Sequence, residues 1–312
     1  MTIKADNTAL HGWLVIDKPA GITSARVVSS IKRVTGAKVG HAGTLDPLAT
    51  GILPLALGEA TKTAQFATAG RKRYRFRIRW GAATDTDDRE GDVLAECAAR
   101  PDAHSITSAL PHFTGTLLQL PPAYSAIKIA GRRAYALARA GEAPALAARP
   151  VEIAELRLLG MPDADHADFE AEVGGGTYIR SLARDLAASL DTLGHIAELR
   201  RLQVGRFTEA QAISLERAVA LGHSLAASEH LLPIETALDD IPALAVTAAE
   251  AARLRHGQRV PLCDLYARIP LNPTDARGID EGALVSARHD LLVVALARIE
   301  DGALRPVRII NR

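Results

Sequence analysis

Cysteine is nearly absent. The 312 residues contain only Cys97 and Cys263, so a disulfide framework is not what holds this chain together. Neither thiol sits in a CxxC or Cys/His-ligand spacing, which removes the usual thiolate metal sites. Two separated thiols suit a reducing compartment, and a cytoplasmic location is expected. The first residues, MTIKADNTALHGW, lack the apolar stretch of a signal peptide. The longest apolar runs, such as residues 291–297, are too short to cross a bilayer, so no membrane association is expected. No phosphate-binding loop of the Walker or dinucleotide type is present, and neither cofactor nor metal is expected. Charge of one sign is also lacking: the formal net charge is +1. Any nucleic-acid contact must therefore come from local basic patches rather than overall charge. Aromatics make up only 4% of the chain, and three of the five tyrosines, Tyr74, Tyr124 and Tyr178, fall in the segments discussed below.

What is present reads as a soluble chain of one larger and one smaller domain, 48% hydrophobic and 23% charged. Residues 12–16 predict a strand and residues 17–21 a turn. Thr23 or Ser24 then caps a helix with Val27, Val28 and Ile31 on its apolar side. Residues 40–62, rich in Gly, Pro and Thr, predict a loop over a buried segment. Residues 73–80 alternate Arg73, Arg75, Arg77 and Arg79 with Tyr74, Phe76, Ile78 and Trp80, a strand with one basic and one apolar face. Residues 169–173 predict a second alternating strand, followed by three glycines and a helix over about 178–190. Thr208 to Gln211 and Thr247 to Glu250 fit the capping box. Short strands are expected at 259–262, 283–286, 291–299 and 305–310, with a domain boundary near 239–242.

The chemistry centres on Gly40-His41-Ala42-Gly43-Thr44-Leu45-Asp46-Pro47-Leu48-Ala49-Thr50-Gly51-Ile52-Leu53-Pro54. Taken alone, Asp46-Pro47 is a good helix start, with Asp as N-cap and Pro at the first position. Closely spaced glycines instead allow a ligand or another backbone to approach the carboxylate. Tyr74 alone reads as core, Arg180 as a solvated helix residue, and His41 as structural. Lys18 reads as a turn residue. Residues 121–150 hold Lys128, Arg132, Arg133, Arg139 and Arg149 against one acid, Glu142. That basic excess suits contact with phosphates.

The residue 40–54 run, continuing through Gly58-Glu59-Ala60-Thr61-Lys62, resembles the TruB family of bacterial tRNA pseudouridine-55 synthases. Val15-Ile16-Asp17-Lys18-Pro19-Ala20-Gly21-Ile22-Thr23-Ser24, Lys72-Arg73-Tyr74, Tyr124-Ser125-Ala126-Ile127-Lys128, Gly176-Thr177-Tyr178-Ile179-Arg180-Ser181-Leu182 and Leu199-Arg200-Arg201 resemble further family motifs in the same order. The likeness runs from about residue 12 to 206. It implies an α+β catalytic domain over 10–238 on a mixed, largely antiparallel sheet, with an RNA-gripping thumb loop at about 121–150. Residues 243–312 resemble a PUA-like β-barrel RNA-binding domain, with residues 268–281 as an insertion. By this resemblance Asp46 is the nucleophile, Arg180 pairs with it, and Tyr74 stacks on the target base. Tyr178 and Leu199 line the pocket, Lys128 grips RNA, and His41 inserts among the loop bases. The substrate is the T-arm stem-loop of tRNA, with no obligate protein partner.

Those roles suit the reaction. Pseudouridine formation breaks the N1–C1′ bond, turns the uracil and joins C5 to C1′. As an isomerisation it needs no redox cofactor or ATP. It needs an ionised carboxylate, which attacks either C1′ or C6, and a base flipped out of its stack. The rival readings are a guide-RNA-dependent synthase of the same fold, a non-catalytic RNA-binding or RNA-folding protein, and a hydrolase. The last lacks a second carboxylate at a recognisable spacing.

Overall fold

The computed structural model describes residues 10–125, 127–129, 131–142, 145–266 and 280–312. A large sheet forms the centre. Its main strands are β1 (Gly12–Lys18), β2 (Thr50–Leu57), β3 (Lys72–Trp80), β4 (Gly115–Gln119), β5 (Arg149–Asp163), β6 (His166–Val173) and β7 (Gly194–Val204). They lie in the order β1-β2-β7-β3-β6-β5-β4. Within that run the β2–β7 pairing is parallel and the others are antiparallel. This is the mixed, largely antiparallel α+β arrangement that the family resemblance implies.

Strand β3 follows its alternation. Tyr74, Phe76, Ile78 and Trp80 are buried. Phe76 stacks on Phe169 of β6 at 5.4 Å, and Trp80 meets the same ring edge-on at 6.3 Å. The arginine face is neutralised by acids on the flanking strands. Arg77 holds Asp168 at 2.7 Å and lies 3.4 Å from Glu198, while Arg75 lies 3.2 Å from Glu170. That face is a salt-bridged surface.

Two helices cover the other face. Helix α1 (Ser24–Thr35) is capped by Thr23, whose side chain accepts from the Arg26 N–H, and it buries Val27 and Ile31. Helix α2 (Ile179–Ser189) buries Ile179, Leu182, Ala183 and Leu186. Both insert into the main hydrophobic cluster, beside Tyr74, Phe76 and Leu199.

Residues 40–62 correct the loop expectation. Only part of this stretch is loop, because β2 is a buried central strand. Its loop-like residues have specific reasons to be there. Gly51 has φ +98°, and a Cβ there would come within 2.2 Å of the Arg201 carbonyl oxygen. No larger residue fits where β2 meets β7. Pro54 lies just past the last pairing of the short Val39–His41 strand, His41 with Leu55. Its carbonyl accepts from the Ala42 N–H at 2.9 Å. On that side the ladder ends, so the missing N–H of proline is not needed.

The C-terminal strands β8 (Ala243–Ala245), β9 (Leu284–His289), β10 (Leu292–Glu300) and β11 (Ala303–Ile309) form a second, five-stranded sheet with Val260–Pro261 at its end. It is a curled half-barrel. Helix α3 (Ala248–Arg255) opens with the predicted Thr247/Glu250 capping box and stops before Gly257. The expected insertion falls, apart from residues 280–281, outside the described residues. Val293, Leu296 and Ile310 share one cluster with Trp13, Phe207 and Ile234, and Lys62 Nζ donates to the Ile309 carbonyl at 2.7 Å. Removing residues 243–312 is therefore expected to cost stability. Each buried side chain lost from the cluster contributes roughly 1.5–3 kcal/mol. A truncated protein that melts at the full-length temperature would contradict this.

Candidate active site

Asp46 sits in the loop between the Val39–His41 strand and β2, and no helix follows it. Ala49 N–H donates to the Asp46 carbonyl at 3.1 Å in a turn. The N-cap alternative is thereby excluded. The loop is tied down on two sides. From the α1 side, Ser24 Oγ both donates to the Leu45 carbonyl (3.0 Å) and accepts from the Leu45 N–H (2.9 Å). The Gly21 N–H donates to the Pro47 carbonyl at 2.9 Å. From β7, the fully buried Arg201 donates to the carbonyls of Ile52 (2.8 Å) and Gly43 (3.0 Å). A carboxylate on such a loop keeps a fixed position before substrate arrives.

Lys18 completes this clamp. Its Nζ is buried at the end of β1 and donates to the carbonyls of Pro19 (2.8 Å), Ile22 (2.8 Å) and Pro47 (3.1 Å). Three acceptors use all three N–H bonds of an ammonium. Burial lowers its pKa to about 8, opposed by the nearby Asp46 and Glu90 carboxylates. The turn reading was thus incomplete: Lys18 is the buried cation that braces the Asp46 loop. Lys18→Met is expected to destabilise the protein by about 1–3 kcal/mol for each carbonyl left without a donor. The measurement is a urea titration, with a lowered midpoint and an unchanged slope. An unaltered midpoint would show that the three contacts carry no net stability.

Arg180, on the first turn of α2, is 3% exposed. Its Nε donates to Asp46 Oδ2 at 2.9 Å, Nη1 to the Thr86 carbonyl at 2.8 Å and Nη2 to the Tyr124 carbonyl at 2.8 Å. Asp88 Oδ2 lies 3.7 Å from the same Nε. Asp88 is itself buried and accepts from Thr86 Oγ1 (2.7 Å) and the Glu90 N–H (3.0 Å). One buried guanidinium therefore faces two carboxylates: Nε bonds Asp46 and lies in ion-pair range of Asp88, while Nη1 and Nη2 hold the guanidinium on two backbone carbonyls. Only the Asp46 side chain, a third exposed, opens to the surface. Its Oδ1 makes no hydrogen bond among the described residues.

A cavity of about 270 Å³ opens beside Asp46, lined by Tyr74, Leu199, Tyr178, Arg180, Lys72 and residues 175–177 among others. That is near the lower end of small-ligand sites, about 300–1,000 Å³, and suits one base rather than a dinucleotide. Tyr74 reaches it from the apolar face of β3, and Leu199 from the adjacent β7. Tyr178 precedes α2, and burial raises its hydroxyl pKa. A second cavity on the other side of Asp46 and Arg180 is lined by His41, Tyr124, Tyr135, Asp88 and Glu90. His41 thus lies next to the site but outside the Tyr74 cavity. Lys128 stands on a short strand paired with residue 133, and its side chain lies outside the described residues. Within the basic segment 121–150, Arg132 forms an ion pair with Glu142 at 3.0 Å.

Asp88 was not singled out from the sequence, and Arg201 appeared there only within the Leu199-Arg200-Arg201 run, without a role of its own. Asp88 belongs to an acid-rich stretch, Asp85-Thr86-Asp87-Asp88-Arg89-Glu90, which reads as solvated turn because nothing local marks one of four acids as buried. Among the described residues no group of three or more His, Cys, Asp or Glu could hold a metal ion.

Residues 31–179 match the TruB family pseudouridylate synthase N-terminal domain, and residues 180–239 the tRNA pseudouridylate synthase B C-terminal domain. A tRNA pseudouridine synthase B from Rhodospirillum rubrum is 51% identical over 312 residues, 100% of both chains. One from Gluconacetobacter diazotrophicus is 52% identical over 303 residues, 96% of this chain and 97% of the relative. In fold, the chain is similar to a Cbf5-Nop10-Gar1 complex (TM-score 0.71, 25% identity, 97% of this chain and 85% of that chain). It is also similar to an H/ACA RNP bound to a substrate RNA containing 2'-deoxyuridine (TM-score 0.71, 22% identity, 97% and 86%). With the domain matches contiguous over residues 31–239 and the identity extending over the full length, the chain belongs to the TruB family of pseudouridylate synthases.

Proposed function

We propose that the protein converts a uridine in the T-loop of tRNA, at position 55, to pseudouridine, with Asp46 as the nucleophile. The observation that carries this reading is the Asp46 carboxylate itself. One oxygen is held by a buried Arg180, and the other stands free beside a cavity the size of a base. The target uridine flips into that cavity and stacks on Tyr74, which offsets part of its unstacking cost. Leu199 and Tyr178 close its sides. Asp46 attacks C1′ or C6, the N1–C1′ bond breaks, the uracil turns, C5 joins C1′, and the bond to Asp46 breaks to free the carboxylate. The proton lost from C5 is balanced by one gained at N1, so no co-reactant is consumed. His41 enters the loop that the flipped base vacates, and the thumb segment with Lys128 holds the T-arm through its phosphates. Residues 10–238 form the catalytic domain, and residues 243–312 a PUA-like domain that adds RNA affinity. The enzyme works in the cytoplasm without a guide RNA or protein partner, as the full-length identity to synthase B relatives supports.

The test is incubation with unmodified tRNA and with an isolated T-arm stem-loop, followed by mapping of pseudouridine. Modification at position 55 in both is expected. Conversion only on addition of a guide RNA would replace this reading with the guide-dependent one.

A further inference from the structure

Beside the Asp46–Arg180 pair, the same cavity has a second polar wall whose chemistry the reaction just described leaves unused. Lys72 opens β3 and lies on the face that carries Tyr74, two residues away. It is only 7% exposed. Its Nζ donates to the backbone carbonyls of Thr68 and Gly70. Among the described residues no carboxylate pairs with it, and the charged neighbour it senses is another cation, Arg201. Two of its three N–H bonds are used, so one remains to give. Opposite the ammonium runs Gly174-Gly175-Gly176-Thr177. A Cβ on Gly175 would sit 3.8 Å from Lys72 Nζ. The flanking amides are committed, Gly174 N–H to the Glu152 carbonyl at 2.8 Å and Tyr178 N–H to Gln119 Oε1 at 2.8 Å. The N–H groups of Gly175, Gly176 and Thr177 donate to no acceptor among the described residues.

A buried cation without a counter-charge lines the same cavity as consecutive amides that have no protein acceptor, and such donors together can receive an anion. We infer that Lys72 and the backbone amides of residues 175–177 form a phosphate site, which binds the backbone phosphodiester of the target uridine. The inference rests on the proposal that a uridine flips onto Tyr74. Two residues of strand separate Lys72 from Tyr74 by about 7 Å, so a base stacked on Tyr74 carries its own phosphate toward Lys72. A free inorganic anion would not need a neighbouring base platform, whereas a nucleotide uses both. Burial lowers the Lys72 pKa to about 8, and a bound phosphate supplies the missing counter-charge. Lys72 is in this view a positioning residue: it fixes the nucleotide against Asp46 without touching the reacting atoms.

The test pairs protein variants with T-arm stem-loops that carry one neutral methylphosphonate linkage, placed in turn at each phosphate around the target uridine. In the wild type, one linkage at that uridine is expected to weaken binding about ten-fold, the loss of one charge-assisted contact. Lys72→Met should weaken binding of the unmodified RNA similarly, and then be indifferent to that linkage. Its salt slope should fall by about 0.7, one contact to single-stranded RNA. Lys72→Arg should keep the charge and much of the sensitivity. Gly175→Ala leaves Lys72 and its carbonyl bonds in place but sets a methyl against Nζ. Gly175 lacks a left-handed φ and an added Cβ there makes only ordinary contacts, so this variant is expected to fold and serves as the test of the site if Lys72→Met does not fold. Equal sensitivity of the wild type, Lys72→Met and Gly175→Ala to every neutral linkage overturns the site, and so does a wild type indifferent to all of them. If the wild-type protein instead leaves the unmodified stem-loop unconverted, the reading of the function fails, and this inference with it.

Discussion

Asp46→Asn protein is expected to form no pseudouridine above background on an unmodified T-arm transcript, while binding that transcript at least as well as the wild type. The replacement keeps the size of the side chain, and its amide oxygen can still accept the 2.9 Å hydrogen bond from Arg180 Nε. It removes the charge and the nucleophilic oxygen. Folding should be untouched, because Asp46 caps no helix and its loop is held by Ser24, Lys18 and Arg201 through backbone groups. Losing a carboxylate next to the RNA backbone should tighten binding slightly. The assay is single-turnover conversion, with binding measured on the same preparation. Near-wild-type conversion by folded Asp46→Asn protein would falsify the nucleophile assignment.

Arg180→Met is expected to lower the rate by roughly 10²–10³, the usual effect of losing one preorganised electrostatic partner. It should also cost about 3–5 kcal/mol of stability, because the buried Asp88 would lose its cation. The carbonyls of Thr86 and Tyr124 would lose their donors as well. A protein this weakened could fail to fold, so Arg180→Lys is the companion variant. It keeps the charge but cannot reach Asp46 and two carbonyls at once, since an ammonium lacks the planar fork. The Lys variant should be folded, intermediate in rate and unchanged in the amount of RNA bound at saturation. Wild-type rates in both variants would make the Arg180–Asp46 pair a structural contact only.

Much of the fold was legible because its signals are local. The alternation of residues 73–80 and the caps at Thr23 and Thr247 fix elements from neighbouring residues alone. β2 was not legible. Gly51 and Pro54 are loop formers by propensity, and only the backbone of β7 pressed against Gly51 and the end of a short strand beside Pro54 make them strand residues. Propensity is overruled where a neighbouring strand supplies the constraint. The arginines of β3 illustrate the same limit. The sequence places four positive charges on one face, but the acids that pair with Arg73, Arg75 and Arg77 come from strands some 90 to 120 positions later.

By itself the sequence picked out the residues proposed to carry the chemistry: an aspartate among glycines, a tyrosine on an alternating strand and an arginine opening a helix, each in a run long enough to resemble one family. It also determined that both thiols stand outside any metal-ligand spacing. Only the tertiary structure decided how these residues act on one another. Arg180 lies 134 positions from Asp46 and meets it because α2 packs on the sheet beside the Asp46 loop. Asp88 becomes a partner, not a solvated acid, because its turn is buried under the same guanidinium. Lys18 becomes a brace because its buried ammonium joins the Pro47 carbonyl, 29 positions away, to the nearby carbonyls of Pro19 and Ile22. Burial and long-range pairing set the worth of a charge, and neither is a property of a residue's neighbours in sequence.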